Sequence, residues 1–105
     1  MSRPSVTPPA IEQDVLAQAA DVIKCLGHPL RLRLLEALEK GERTVTELQG
    51  YSGATQAAVS QQLATMRARR VVDCRRDGAH VYYRIIEPKV KAVLACIRSC
   101  DLPVK

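Results

Sequence analysis

Apolar residues recur every three or four positions through the first third of the chain, which is the spacing of an amphipathic helix. In the first stretch they are Ile11, Val15, Ala19, Val22, Ile23 and Leu26, and in the second they are Leu30, Leu34, Leu35 and Leu38. Gly27 separates the two stretches. Pro29 suits the first position of a helix, because its fixed φ is helical and its missing N–H is not needed there. The pattern predicts two helices, the second of which ends near Gly41.

The middle of the chain predicts a third and a fourth helix. Thr44 and Glu47 have the spacing of a capping box, which starts a helix, and the glycine- and serine-rich residues 50–53 predict the turn that ends it. A fourth helix is expected from about residue 55 to residue 69. Its apolar face contains Val59, Leu63 and Met66, and its opposite face contains only small, hydroxyl and amide side chains, which are Ala57, Ser60, Gln61, Ala64 and Ala68. This order predicts a helix-turn-helix.

A hairpin and a last helix follow. Residues 71–76 and 79–86 are rich in β-forming residues, and Asp77-Gly78 predicts the tight turn between them. Val72, Cys74, Val81 and Tyr83 are expected to share one face of the hairpin. The last helix should begin near Pro88, with apolar positions at Val90, Val93, Leu94, Ile97 and Leu102. The predicted fold is mainly α with a β-hairpin wing, in the winged helix-turn-helix order α1-α2-α3-α4-β1-β2-α5.

The ends of the chain suggest its domain organisation. Residues 1–10 contain prolines and no periodic apolar pattern, which predicts a disordered N-terminal tail. Residues 11–102 form the predicted winged helix domain, for both DNA binding and dimerisation. Its first and last helices are both apolar along one face, and little else in a domain of this size would cover them. We therefore expect a symmetric dimer through α1 and α5.

Composition and charge narrow the classes of function. The formal net charge of +5 and the pI near 9.3 favour a polyanionic partner. Phe and Trp are absent, so the core must be aliphatic, and an aromatic platform for single-stranded bases is not expected. The absence of a long apolar run and of a signal-peptide pattern predicts a cytoplasmic protein with no membrane segment. An enzyme is not expected, because no nucleophile–base pair or phosphate-binding glycine loop is visible.

The outward face of the fourth helix is suited to the major groove of double-stranded DNA. Small side chains permit close approach, and amide and hydroxyl groups bond base edges and phosphates. The candidate residues are Thr55, Gln56, Ala57, Ser60 and Gln61 on the helix, and Arg75, Arg76 and His80 on the hairpin. The alternatives are an ordinary solvated face, which more often contains Glu and Lys, and a hairpin tip that only adds solubility.

Three segments, which follow one another along the chain, resemble motifs of the ArsR/SmtB family of bacterial metal- and stress-responsive repressors. They are residues 26–35 (LGHPLRLRLL), 56–63 (QAAVSQQL) and 75–83 (RRDGAHVYY), and the resemblance extends over about residues 11–100. It implies a homodimer that needs no cofactor to bind a palindromic operator and that leaves the operator when an inducer binds. It also implies recognition-helix positions at Gln56, Ala57, Ser60, Gln61 and Gln62, and wing positions at Arg75, Arg76 and His80.

The two standard metal sites of that family are absent from this sequence. The arsenite-type branch has a cysteine pair in the third helix, where this chain has TVTELQ at residues 44–49. The zinc-type site needs a histidine in the last helix, and no histidine follows His80. A sensor would have to use the chain's own cysteines, which are Cys25, Cys74, Cys96 and Cys100. Without a signal peptide these are expected to be thiols.

Cys96 and Cys100 are four residues apart on the last helix, so both thiols should project from one face. Together with Cys25, near the end of the first helix, they would form a three-thiolate site for As(III), Sb(III), Cd(II) or Zn(II). We predict a repressor that releases its operator when such a thiol-directed inducer binds, arsenite or a related soft metal above all.

Two other functions are consistent with the same residues. A persulfide- or redox-sensing repressor would join two thiols, although the persulfide branch of the family uses a second-helix cysteine that this chain lacks. A direct disulfide between positions i and i+4 of an intact helix is also disfavoured, because their β-carbons lie too far apart. A constitutive DNA-binding module would use its cysteines as small hydrophobes, as we expect for Cys74. His28 is expected to start a helix rather than to bind metal.

Overall fold

The computed structural model describes residues 7–100 and contains five helices and one antiparallel hairpin in this range. They are α1 (Gln13–Leu26), α2 (Pro29–Glu39), α3 (Val45–Ser52), α4 (Gln56–Ala68), β1 (Val72–Asp77), β2 (His80–Ile85) and α5 (Lys89–Ser99). This order confirms the predicted winged helix-turn-helix. Residues 7–10 form no helix or strand, whereas the rest of the predicted tail and Leu102 lie outside the described residues. None of the described helices is long and apolar enough to cross a membrane.

Side-chain caps start three of the helices where the sequence predicts them. The Nδ1 atom of His28 accepts a hydrogen bond of 3.2 Å from the backbone N–H of Leu30, which confirms His28 as the residue that starts α2. Thr44 and Glu47 form both bonds of the predicted capping box, at 3.2 and 2.9 Å. The hydroxyl of Thr55 accepts from the third residue on at 3.1 Å and starts α4. These local bonds satisfy N–H groups that have no partner within the helix.

An aliphatic core holds α4 against α2, α3 and the hairpin. Its largest fully buried side chains are Leu34, Leu35, Leu48, Val59, Leu63, Met66, Val71, Val72 and Val90. Burying one side chain of this kind contributes about 1.5–3 kcal/mol relative to leaving it exposed. The predicted inward face of α4, with Val59, Leu63 and Met66, is therefore confirmed, and its burial decides which face remains exposed.

Three predicted boundaries were wrong by one to three residues. The turn after α3 begins at Gly53, with φ of 74°, because the left-handed conformation is needed there, and the helix continues through residues 50–52. The hairpin turn is Gly78-Ala79 rather than Asp77-Gly78. Asp77 still pairs with His80, and Gly78 has φ of 64°, as the first residue of a type II′ turn requires. The first helix begins at Gln13 rather than at Ile11.

The hairpin is attached to the segment between α2 and α3. Arg43 forms an isolated antiparallel bridge with Tyr83 through two backbone hydrogen bonds of 3.2 and 2.8 Å. Cys74 lies opposite Tyr83 in the β1–β2 register, and Val72 and Val81 are on the same side, so the predicted sharing of one face is confirmed. These bonds make the wing an extension of the core rather than a loosely attached arm.

Candidate nucleic-acid interface and cysteine positions

One face of α4 is exposed along its length and contains no acidic residue. Its exposed residues are Gln56, Ala57, Ser60, Gln61, Ala64, Arg67 and Ala68. The major groove of B-DNA is about 12 Å wide and admits one α-helix when its outer side chains are small. The absence of carboxylates also avoids repulsion by phosphates. The face therefore has the shape and charge that insertion into the groove requires.

The polar groups on this face are available to a ligand. Within residues 7–100, the side chains of Ser60 and Gln61 make no hydrogen bond. The Thr55 oxygen is occupied as a helix cap, but its hydroxyl hydrogen can still be donated to a phosphate. The amide of a glutamine with no other partner can form two hydrogen bonds with adenine, one as donor and one as acceptor. Gln61 is consequently our strongest candidate for base recognition.

Gln62 differs from the other candidate positions on α4. Its side chain is half-buried, and its Oε1 atom accepts a hydrogen bond of 2.7 Å from the Nε atom of Arg31 on α2. In this arrangement the Gln62 carbonyl oxygen is directed towards the protein and is not available to a base. The family pattern alone gives no indication of this contact.

Arg75 and Arg76 occupy opposite faces of the hairpin, because side chains alternate along a strand. Arg75 donates to Glu42 at 2.7 Å, lies 3.6 Å from Asp77 and stacks on the ring of Tyr82 at 4.9 Å. The hydrogen bond to Glu42 raises the pKa of Arg75 above its usual range. Arg75 thus connects the wing to the α2–α3 segment, a contact that the sequence did not indicate.

Arg76 and His80, the other two predicted wing contacts, are both exposed. Arg76 is paired with Val81 across the hairpin and makes no hydrogen bond or ion pair with any other residue in the described part of the chain. His80 lies 6.2 Å from the ring of Tyr82, on the opposite face. Of the adjacent pair Arg75 and Arg76, only Arg76 has a guanidinium that is free to bind a phosphate. Arg84 on β2 is likewise exposed and has no side-chain partner within residues 7–100.

We expect Arg76→Ala to weaken DNA binding similarly on all sequences and to reduce its salt dependence. Each lost phosphate contact should lower the slope of log K against log salt by about 0.9, because fewer counterions are released. Binding measured by fluorescence anisotropy at several salt concentrations checks this. Lys91→Ala, which removes one exposed positive charge on α5, is the matched control. An unchanged slope for Arg76→Ala would show that Arg76 does not touch phosphate.

The four cysteines are thiols in different environments. Cys25 is 3% exposed and Cys74 is half-buried, whereas Cys96 and Cys100 are exposed. The described residues of one subunit contain no group of three metal-binding side chains. The last helix ends at Ser99, so Cys100 lies at its C-cap rather than within it. Its ψ of 136° is extended, so the chain leaves the helix at this residue. Its φ of −73° is nevertheless close to the helical value, and φ sets the direction of the β-carbon, which therefore projects as it would from a helix.

The end of α5 is bonded to the end of α2. Arg98, which lies between the two exposed cysteines in sequence, donates a hydrogen bond of 2.5 Å to Glu39. This bond holds the pKa of the Glu39 carboxyl below its usual range. Both groups are at the surface, so their pairing contributes little to stability. It does join the end of α5, the helix that contains Cys96, to the DNA-binding core.

Exposed large apolar side chains are most numerous on α1. Ile23 is 63% exposed, Val15 is 45% exposed and Leu16 is 43% exposed, while Ile97 on α5 is 41% exposed. The fully buried residues of α1 are confined to its end, at Cys25 and Leu26. Several large apolar side chains on one helix indicate an interaction surface, since single subunits seldom expose them together.

Comparison with known proteins finds the same architecture in bacterial regulators. Residues 28–73 match the family model described as "Bacterial regulatory protein, arsR family". The chain is 35% identical over 89 residues to the biofilm growth-associated repressor of Agrobacterium fabrum, covering 85% of this chain and 75% of that protein. HlyU from Vibrio cholerae has a TM-score of 0.76 at 29% identity, covering 83% of this chain and 95% of that one. A homodimeric winged helix-turn-helix DNA-binding domain from Mycobacterium bovis has a TM-score of 0.70 at 32% identity, covering 81% and 79%.

Proposed function

Because this chain belongs to the ArsR family of DNA-binding transcriptional regulators, we propose that it is a dimeric repressor controlled through its exposed thiols. In this proposal a soft, thiol-directed inducer such as As(III), Sb(III), Cd(II) or Zn(II) binds Cys96 and Cys100 and lowers the affinity for the operator. The single observation that supports it best is the exposure of both cysteines at the end of α5, the helix that Arg98 bonds to Glu39 at the end of α2.

The chemistry of the thiols suits this class of inducer. Two thiolates about one helical turn apart hold a soft ion, and a third ligand completes the usual coordination. Cys25 is the proposed third ligand. Because it is 3% exposed, recruiting it requires the end of α1 to move. An inducer that binds the moved arrangement more tightly shifts the population towards it, and operator binding weakens by the same coupling free energy.

The proposed dimer forms through α1 and α5. The exposed side chains Val15, Ile23 and Ile97 supply the apolar surface for it, and the M. bovis relative is homodimeric. Two copies related by a two-fold axis would present two α4 helices to successive major grooves. An inducer site at this interface would act on the angle between the two DNA-binding heads.

The proposal is tested by selecting operator duplexes from a random library with the reduced protein and then titrating the complex. As(III), Sb(III), Cd(II), Zn(II) and a persulfide are added separately, and release is followed by fluorescence anisotropy. We expect release by at least one of the metal ions. Release by the persulfide alone would support the redox-sensing alternative, for which the two exposed thiols are also available. Release by none would indicate a constitutive DNA-binding module.

Base recognition is tested by Gln61→Ala. We expect this change to reduce the preference for the selected operator over unrelated duplexes by about 10-fold, because one bidentate base contact contributes about 1–3 kcal/mol of discrimination. Binding to unrelated DNA should change little. The control is Gln18→Ala, which removes the same amide from the exposed side of α1. Full operator selectivity in Gln61→Ala would contradict the assignment of α4 as the base-reading helix.

A further inference from the structure

The guanidinium of Arg31 joins the end of α1 to the middle of α4. Its Nη1 atom donates a hydrogen bond of 2.7 Å to the carbonyl oxygen of Cys25, and its Nε atom donates one of 2.7 Å to Gln62. Cys25 is in the last turn of α1, where carbonyl groups have no partner within the helix. One side chain of α2 therefore contacts both α1 and α4.

The geometry of this contact resists movement. The guanidinium is planar and its N–H groups point in fixed directions, so two short hydrogen bonds from one guanidinium constrain the positions of both acceptors. Arg31 and Gln62 are half-buried and Cys25 is buried, which shields these charge-assisted bonds from water. Arg33 is only two residues away but is exposed and pairs with Glu36 of its own helix. It connects no second helix and provides a matched control.

We propose that Arg31 is a positioning residue for DNA binding and that Gln62 is its acceptor rather than a contact to a base. In the dimer of the proposed function, on which this inference rests, α1 contributes to the interface and α4 enters the DNA. The link from α1 through Arg31 to α4 then determines the spacing and angle of the two α4 helices. Both must match the separation of the two operator half-sites.

The experiment compares Gln62→Leu with Gln62→Glu on operator duplexes selected by the wild-type protein. Leucine removes the acceptor, and we expect operator affinity to fall about 10-fold, the effect of losing one hydrogen bond to a charged group. Glutamate keeps an acceptor for Arg31, so affinity should stay within about twofold of wild type. If Gln62 instead contacted a base, Gln62→Glu would bind the operator more weakly than Gln62→Leu, because a carboxylate at the DNA surface is repelled by the phosphates.

Arg31→Lys separates positioning from charge. Lysine keeps the positive charge but lacks the planar fork, so we expect about a 10-fold loss of operator affinity with an unchanged salt slope. Arg33→Lys should bind as wild type does. The double variant Arg31→Lys/Gln62→Leu should be no weaker than the weaker single variant, because both remove the same link.

Two results would overturn the inference. One is a loss of operator affinity in Gln62→Glu that equals or exceeds the loss in Gln62→Leu. This comparison can be made even if the Arg31 variants do not fold. The other is wild-type affinity in Arg31→Lys. Circular dichroism and thermal melting establish that each variant is folded at the assay temperature. Failure of the repressor function itself would look different, since the wild-type protein would then enrich no sequence from the library.

Discussion

Replacing both Cys96 and Cys100 by serine is expected to abolish inducer-dependent release of the operator while leaving operator affinity within about twofold of wild type. Both thiols are exposed, so serine should change the free energy of unfolding by no more than about 0.5 kcal/mol. Serine is a poor ligand for soft ions, because these select thiolate sulfur. The wild-type response should be a roughly 5- to 150-fold loss of affinity, the range of ordinary allosteric coupling.

Two further cysteine variants complete this experiment. Cys74→Ser is the matched control, since Cys74 is half-buried on β1 in the wing and should not take part in the response. Cys25→Ser should weaken the response to trivalent As(III) if Cys25 supplies the third sulfur. The readout is the operator affinity with and without the inducer, measured by fluorescence anisotropy under reducing conditions. An undiminished response in Cys96→Ser/Cys100→Ser would eliminate the proposed sensor.

Ile23→Glu is expected to convert the protein to a monomer and to lower operator affinity by about 100-fold or more. Ile23 is 63% exposed in the subunit, so glutamate is tolerated by the subunit fold. In a two-fold interface each subunit contributes one substituted residue. Two carboxylates are then buried in the interface without a positive charge to pair with them. Without the dimer each head binds one half-site, and the gain from linked binding, about 10²- to 10⁴-fold, is lost.

Ala17→Glu is the control for this change. It introduces the same side chain on the same helix, about 120° away around the helix axis, at an exposed position outside the apolar surface. Sedimentation equilibrium at micromolar concentration gives the oligomeric state, and circular dichroism verifies that the helices are retained. If Ile23→Glu sediments as the wild-type protein does, the interface does not include this side of α1.

The order of the elements could be predicted from the sequence because the signals for it are local. Helical periodicity places Val59, Leu63 and Met66 on one side of α4, and the capping box at Thr44 and Glu47 acts within four residues. Errors were limited to element boundaries, which were the start of α1, the end of α3 and the hairpin turn Gly78-Ala79. There, one residue of register depends on strand pairing across the hairpin and not on the turn sequence alone.

The composition of the candidate DNA-binding face also followed from local spacing, but the roles of individual residues on it did not. Gln61 and Gln62 are adjacent and chemically identical, and so are Arg75 and Arg76. The structure separates each pair, since Gln62 bonds to Arg31 and Arg75 bonds to Glu42. Which member of a pair is free depends on the neighbouring element that reaches it.

The sequence by itself determined the fold, the exposed polar face of α4 and the four thiols. Only the tertiary structure decided which of these groups remain available. The deciding hydrogen bonds join residues 31, 33 and 59 positions apart in the chain. No periodicity or short motif encodes separations of this length. They exist because burial of the aliphatic core brings α2 beside α4 and α5, and brings the segment after α2 beside the wing.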